Sequence, residues 1–335
     1  MTTSDNTFSG RTVTVTGGAG LIGSFLVDKL NAAGAAVRVI DDFSKGRRDN
    51  IAHHGSAIDV RQGDLEDPAF ASEALIDAGV VFHLASRAYG VAYGKDHHLE
   101  VLQHNERITN NVLDALARNK PDHLLVTSSS CVYDDNGPDT VPELPLFEGQ
   151  PETVNLGYGW AKRFLEQKAV IFSGETGVPV TTVRPFNIYG ERYNWVGQYS
   201  QAIPMLVKRV MDGENPVIIW GSGNQRRSYV HAADCAEMML AIVSAGHAGD
   251  PVNLGTEETT SITELVSLIC TVAGLSPAFE YDKSKPEGRF VKSAGMERFA
   301  SIVPSFTPDV ALRDGLERMC GWYRDTFGVA SYSSG

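Results

Sequence analysis

Residues 12–34 read TVTVTGGAGLIGSFLVDKLNAAG: a β-branched run stops at glycines and passes straight into apolar residues at helical spacing. Leu21, Ile22, Phe25, Leu26 and Leu30 recur at that spacing, and Gly34 supplies a stop. The alternation continues downstream. AVRVIDD is a second strand, and VVFHLA is a continuous apolar run suited to a buried parallel strand. DHLLVTSSS is another, reached through the helix-like ERITNNVLDALARNK. Strands alternating with helices predict an α/β chain with a doubly wound parallel sheet. After about residue 184 Pro, Gly, Trp and Tyr recur and the helical stretches shorten, which marks a smaller C-terminal lobe. The expected division is a first domain over 10–183, rejoined by part of 229–255, and a second lobe over 184–228 and 256–328.

A chain of 335 residues can hold one large or two modest domains with a full core. Its net charge of −12 argues against nucleic acid or an anionic membrane as partner, since both need a basic face. That charge leaves room for an anionic small molecule held by a few local arginines. Cys131, Cys235, Cys270 and Cys320 are far apart, with no C-x-x-C pairing. Neither a zinc knuckle nor a disulfide framework is suggested, and a reducing cytoplasm fits. MTTSDNTFSG lacks the apolar core of a secretory signal, and no stretch reaches membrane-spanning length. Met1–Ser9 and Ala330–Gly335 read as frayed tails.

The glycine turn carries the first chemistry. Gly17, Gly20 and Gly23 stand between a strand and a helix, where backbone N–H groups can approach a pyrophosphate. Asp41 closes the second strand, eighteen residues past Gly23. A carboxylate there can accept from the adenosine ribose hydroxyls and would repel a 2′-phosphate, so NAD is favoured over NADP. Arg47 and Arg48 read as a solvated loop. Asp64 in GDLED has two readings, a partner for the adenine amino group or the N-cap of a helix over PAFASEALIDAG.

The second motif is YGWAK, with Tyr158 and Lys162 four apart and so on one helical face. A phenol of pKa about 10 is a poor base at neutral pH unless a neighbouring cation favours its phenolate. Lys162 can supply that charge and hold a ribose hydroxyl. The bare spacing also arises as a surface pair. With the glycine turn and the serines at 128–130 it becomes specific. His83 ends a buried strand and reads as structural. His53-His54 and His97-His98 have no third ligand at useful spacing, so no metal site is expected.

In these motifs together the chain resembles the extended short-chain dehydrogenase/reductase family, the NAD-dependent nucleotide-sugar epimerases and dehydratases. The resemblance runs over roughly residues 10–327 and is carried by TGGAGLIG, DDFSKG, GDLED, HLAS, SSSCVY, YGWAK, RPFNIYG, IIWGSGNQRRSYVHAADCA, VNLGT and LRDGLERMCGWY. It implies a Rossmann-type fold with a nucleotide-sugar lobe. Ser129 matches the catalytic Ser/Thr, and Tyr158 and Lys162 complete the triad. NAD contacts carry over to Gly17, Gly20, Leu21, Ile22, Gly23, Asp41, Asp42, Ser44, Gly46, Asp64, Leu65, Leu84, Ala85, Ser86, Asn105, Tyr158 and Lys162. Contacts to a GDP- or UDP-linked sugar carry over to Arg87, Tyr89, Ser129, Ser130, Asn187, Arg227 and Arg289. Asn187 and Arg227 match positions that meet the diphosphate, for which guanidinium geometry is suited. The helices around 97–118 and 158–173 match the four-helix interface of a homodimer.

The departures narrow the choice. Dehydratases of the family carry Asp-Glu directly after the serine or threonine, where this chain has Ser130 and Cys131. That disfavours the usual 4,6-dehydratase and the glutamate-dependent decarboxylase. SSSCVY, YGWAK and NIYGERYNW look most like the GDP-mannose 3,5-epimerase branch, where the equivalent of Cys131 is an acid/base. That branch has a lysine just after the tryptophan, and Val196 stands there instead. The family's arginine followed three residues later by aspartate becomes KSAG, Lys292 to Gly295, and Arg289 is the candidate to compensate. The expected activity is an NAD-dependent nucleotide-sugar epimerase working through a 4-keto sugar, at C4 or, with Cys131, at C5/C3. A dehydratase of the same fold is the alternative. A non-catalytic dinucleotide sensor or scaffold is a third, opposed by the retained proton-transfer triad. Cys131 itself has a plain reading too, as a small packing residue.

Overall fold

The β-branched opening run forms β1 (Thr12–Thr16), and the apolar run after the glycines forms α1 (Leu21–Ala32). The computed structural model describes residues 7–193, 195, 202–285 and 289–328. Next come β2 (Ala36–Asp41), β3 (Asp59–Gln62), α2 (Pro68–Ala74), β4 (Val80–His83), α3 (Val91–Gly94), α4 (His98–Asn119) and β5 (His123–Thr127). After β6 (Thr140–Val141), α5 (Leu156–Thr176) and β7 (Val180–Pro185), the chain enters the second lobe. That lobe begins with β8 (Ile188–Tyr189), α6 (Ala202–Met211), β9 (Val217–Trp220) and β10 (Arg226–Arg227). Through β11 (Val230–His231), α7 (Ala232–Ser244) and β12 (Val252–Leu254) the chain crosses back. It closes with β13 (Thr260–Ser261), α8 (Ile262–Ala273), β14 (Phe279–Asp282), β15 (Val291–Ala294), α9 (Glu297–Ile302) and α10 (Leu312–Phe327).

Seven strands pair in the order β12-β7-β5-β4-β1-β2-β3, every neighbour parallel. The sheet thus winds outward from β1 and β4 in both directions, as the strand–helix alternation predicts. β4 and β5 are buried at every position because helices cover both faces. On one face Leu26, Val27 and Leu30 of α1 share a core with Met239 and Ile242 of α7. On the other, Val81 and Val126 meet Ile108, Val112 and Leu116 of α4 and Leu165 and Ala169 of α5. The second lobe has its own core, where α6, α8 and α10 bring Val207, Leu265, Ile269, Leu316 and Met319 around Ile219 and Trp195.

Two expectations need correction. Phe8 is not part of a frayed tail: it is fully buried, its ring centroid 6.1 Å from that of Phe82, so the described residues before β1 are pinned to the sheet. An apolar side chain of that size outweighs the polarity of its neighbours. The residues 330–335 lie outside those described. The N-cap of α2 is Asp67, not Asp64. Asp67 accepts from the Ala69 amide at 2.9 Å and precedes Pro68 at the first helical position.

Candidate active site

A cavity of about 1080 Å³ opens between the lobes, outside the carboxyl ends of the parallel strands, where such sheets bind ligands. One end is built from the glycine turn. Gly17 stands at φ +70°, and a Cβ on Gly23 would lie 2.2 Å from the Gly17 carbonyl oxygen, so the turn tolerates no side chain there. Gly20 caps α1 without any side-chain acceptor. Leu21, Ile22 and Gly23 in the first turn then face the cavity with only backbone to offer, which suits a pyrophosphate. Gly46, Leu65, Leu84, Ala85 and Ser86 also line it.

Asp41 is only 8% exposed. Its two oxygens accept from the Ala19 amide at 2.9 Å and the Phe43 amide at 2.8 Å, and burial raises its pKa despite those bonds. It therefore holds the glycine turn to the end of β2 while facing the cavity. Asp42 accepts from the Ser44 amide and hydroxyl and pairs with Arg87 at 2.8 Å. Arg87 also meets Asp64 at 3.0 Å, so the structure places its guanidinium among residues expected for the cofactor. Asn105 does not line the cavity. Its buried amide bonds the Arg87 backbone at both N–H and carbonyl, fixing the wall from behind. Lys45, which sequence reasoning missed inside DDFSKG, lines this end, and burial lowers it to about 8. Arg48 turns outward onto Gln62, whereas Arg47, expected in a solvated loop, is half-buried, pairing with Asp49 at 2.9 Å and lying over the Trp322 ring at 5.6 Å.

The other end holds the serine turn and α5. Ser129 leaves β5 in extended conformation, and its Oγ accepts from the Cys131 amide at 3.2 Å. Ser129, Ser130, Cys131 and Tyr158 face the same space as Tyr89, Asn187, Arg227 and Arg289. Gly159 permits the close approach of α5, since a Cβ there would lie 2.7 Å from the Cys131 carbonyl oxygen. Lys162 sits behind Tyr158, its Nζ 5.4 Å from the ring centroid and donating to the Thr127 carbonyl at 2.8 Å. Burial pushes Lys162 down to about 7 and raises the Tyr158 phenol, which a bond from Ser86 partly offsets. Arg227 bonds the Arg226 carbonyl, and Asn187 bonds the Ser228 carbonyl at 3.0 Å. Arg289 donates to the carbonyls of Asp134, Gly137 and Pro138, so it also secures that loop.

Sequence reasoning missed two further groups. Glu152 precedes α5 and accepts from Lys292 at 3.1 Å and from Asn155 at 2.6 Å, beside the Cys131 thiol. Burial alone would raise Glu152, but Lys292, Asn155 and the thiol outweigh it and bring it to about 2. The thiol goes the other way, to about 12, through burial and the Glu152 charge. Below the serine turn, Arg184 of β7 makes a two-pronged pair with Glu166 of α5 at 2.9 and 2.8 Å, and bonds Tyr133 at 2.8 Å. Tyr133 passes that bond to Asn253 of β12, and Ser128 donates to Glu166. Arg184, Tyr133 and Asn253 belong to RPFNIYG, SSSCVY and VNLGT, but nothing in the sequence alone pairs them with one another or with Glu166.

His83 bonds Thr16 at 2.8 Å, and burial lowers it to about 3, a structural histidine. His53 and His54 do gain a third neighbour that spacing hid: both meet Asp28 Oδ1, whose other oxygen is held by Arg192 at 2.7 Å. Val196 lies outside the described residues.

The sequence pattern of the NAD dependent epimerase/dehydratase family matches residues 13–255. GDP-L-fucose synthase 1 of Arabidopsis thaliana is 27% identical, the match covering 92% of each chain. UDP-glucuronic acid decarboxylase 1 of the same plant is 30% identical over 93% of this chain and 70% of its own. Among solved structures, a UDP-N-acetylglucosamine 4-epimerase from Methanobrevibacter ruminantium, in complex with UDP-N-acetylmuramic acid, superimposes with a TM-score of 0.85 at 26% identity, over 95% of this chain and 99% of that one.

Proposed function

This chain belongs to the NAD-dependent epimerase/dehydratase family, and we propose that within it the protein is a nucleotide-sugar epimerase that inverts C4 through a transient 4-keto sugar. The cofactor is NAD, and the glycine cradle, with no side chain on its helix cap, fits the dinucleotide. Bound in that cradle, NAD would supply the hydride acceptor and donor for C4. The remaining work falls to the chain. Tyr158 takes the proton of the C4 hydroxyl as that carbon is oxidised and returns it on reduction, with the Ser129 hydroxyl as second hydrogen-bonding partner. Lys162, buried beneath the ring, offsets the charge that develops on the phenolic oxygen. Inversion then requires the keto sugar to present its opposite face before reduction. Arg227 and Asn187 suit the diphosphate, which anchors the sugar while it turns.

The observation that carries this reading is the convergence of Ser129, Tyr158 and Cys131 on one cavity that also runs to the glycine turn, with no carboxylate at position 131 itself. Similarity to both GDP- and UDP-sugar enzymes supports a nucleotide sugar as substrate class. A homodimer through α4 and α5 is part of the proposal. Leu99, Val170 and Ile171 on those helices are exposed by 66%, 64% and 51%, an apolar set that pairing would cover. Among the described residues no helix is long and apolar enough to cross a membrane.

The test is a panel of UDP- and GDP-sugars incubated with NAD in D₂O and read by NMR. A C4 epimer without deuterium on carbon supports the proposal. A 4-keto-6-deoxy product or loss of a carboxyl group overturns it.

A further inference from the structure

Cys131 faces a sugar cavity with a carboxylate and an ammonium set against it, and the three come from distant parts of the chain. The Glu152 amide donates to the Cys131 carbonyl at 3.1 Å, which sets the two residues side by side on the cavity wall. Lys292, on β15, reaches the Glu152 carboxylate at 3.1 Å and the Ser130 carbonyl at 3.1 Å. The Lys292 and Glu152 side chains are 5% and 17% exposed, so neither is a wandering surface group.

We propose that Glu152, held in place by its ion pair with Lys292, disarms Cys131: standing beside its sulfur, the carboxylate keeps the cysteine from acting as a base at C3 or C5 and confines the reaction to C4. This rests on the epimerase reading above and deepens it. A 4-keto sugar has acidic hydrogens on both neighbouring carbons, so any free base at the ring threatens to remove one. Removal by a thiolate would form S–H and an enolate. Return of a solvent-exchanged hydrogen from that S–H would then restore the carbon, marked with deuterium in D₂O. A thiolate forming next to a permanently charged carboxylate is disfavoured by repulsion of like charge. Charges on Tyr158 and Lys162 also bear on the sulfur, Ser129 lies beside it, and Arg227 lines the same cavity as Glu152. Burial holds the thiol at about 12, in the same direction as the carboxylate. Glu152 and Lys292 are therefore positioning residues. They restrict which carbon reacts without touching it.

The experiment has one readout independent of turnover. Cys235, Cys270 and Cys320 are buried, so the rate of iodoacetamide alkylation against pH, read on the Cys131 peptide by mass spectrometry, reports that thiol alone. Glu152→Gln should raise the rate at pH 8 by about tenfold, because Lys292 is left to favour the thiolate and one pH unit in the midpoint is tenfold in its population. Lys292→Met should lower it. In the D₂O assay the wild type should leave C3 and C5 unlabelled. Glu152→Gln should gain label there, and Glu152→Gln with Cys131→Ser should lose it again. An alkylation profile unmoved in both variants overturns the proposal, as does label at C3 or C5 in the wild type. If no sugar is turned over, the epimerase reading fails while the alkylation profile still decides the Glu152 effect. If Glu152→Gln does not fold, a fall in rate for Lys292→Met supports the proposal and an unchanged rate overturns it.

Discussion

The two ends of the cavity are made of different material. The dinucleotide end is largely backbone, a glycine turn between β1 and α1 with Asp41 bracing it through two amides. The end proposed for the sugar is side chains, gathered from the serine turn, the loop before α5, α5 itself and β15. A backbone site is specified by what must be missing, so damage comes from adding atoms. A side-chain site is specified by what must be present, so damage comes from deleting or neutralising them.

The largest effect expected is at the sugar end. Tyr158→Phe should lower kcat by about 10²–10⁴-fold while leaving the melting temperature in place, since only the proton relay is lost. Wild-type turnover in that variant would sink the assignment. Next is the floor under the serine turn. Glu166→Gln leaves the Arg184 guanidinium buried against a neutral amide, and a broken buried pair costs about 3–5 kcal/mol. Chemical denaturation should show that loss, and a difference under 1 kcal/mol would mean the network is dispensable. At the backbone end, Gly23→Ala puts a Cβ into the Gly17 carbonyl, a strain of about 1–3 kcal/mol, and should abolish the thermal shift on adding NAD. Retained NAD binding there would break the contrast between the two ends. Asp41→Ala should be milder, narrowing the preference for NAD(H) over NADP(H) by about tenfold in calorimetry, the scale of one or two hydrogen bonds. The last prediction is a pH dependence of stability. Lys162 titrates near 7 when folded and near 10.5 when unfolded, so the unfolded chain binds the extra proton between those values and wild-type stability rises with pH across that window. Lys162→Met should lose turnover yet melt at a higher temperature than the wild type at pH 7, with the advantage fading towards pH 10. A constant difference across that range would place the effect elsewhere.

The same contrast explains what the sequence revealed. β1, the glycine turn and α1 are contiguous, so periodicity and glycine spacing expose them directly, and the parallel sheet follows from the strand–helix alternation. Tyr158 and Lys162 are legible because one helix carries both. The pair of Glu152 and Lys292 is not, because its members are far apart in sequence and meet only when β15 lies beside the serine turn. Lys292 shows in the sequence only as part of KSAG, a departure from the family's pattern. Asp28 meets His53 and His54 for a similar reason, through packing of a turn on α1 that no local spacing encodes. Asp67 was within reach: an aspartate directly before Pro68 is a helix-start signature, and GDLED offered Asp64 first. Phe8 shows the limit of composition, since one aromatic in a polar run suffices to anchor it.

The crossing of the chain back through α7 and β12 has a practical consequence. β12 pairs with β7 through Val252 and Val183, and α7 covers the same sheet face as α1. A fragment ending at residue 183 would lose both, leaving an unpaired strand edge and an uncovered apolar face. The dinucleotide-binding half is therefore not a transplantable module. Swapping it between relatives to change cofactor choice requires two grafts, one for the opening strands and one for the returning segment, and a single crossover near β7 should give insoluble protein.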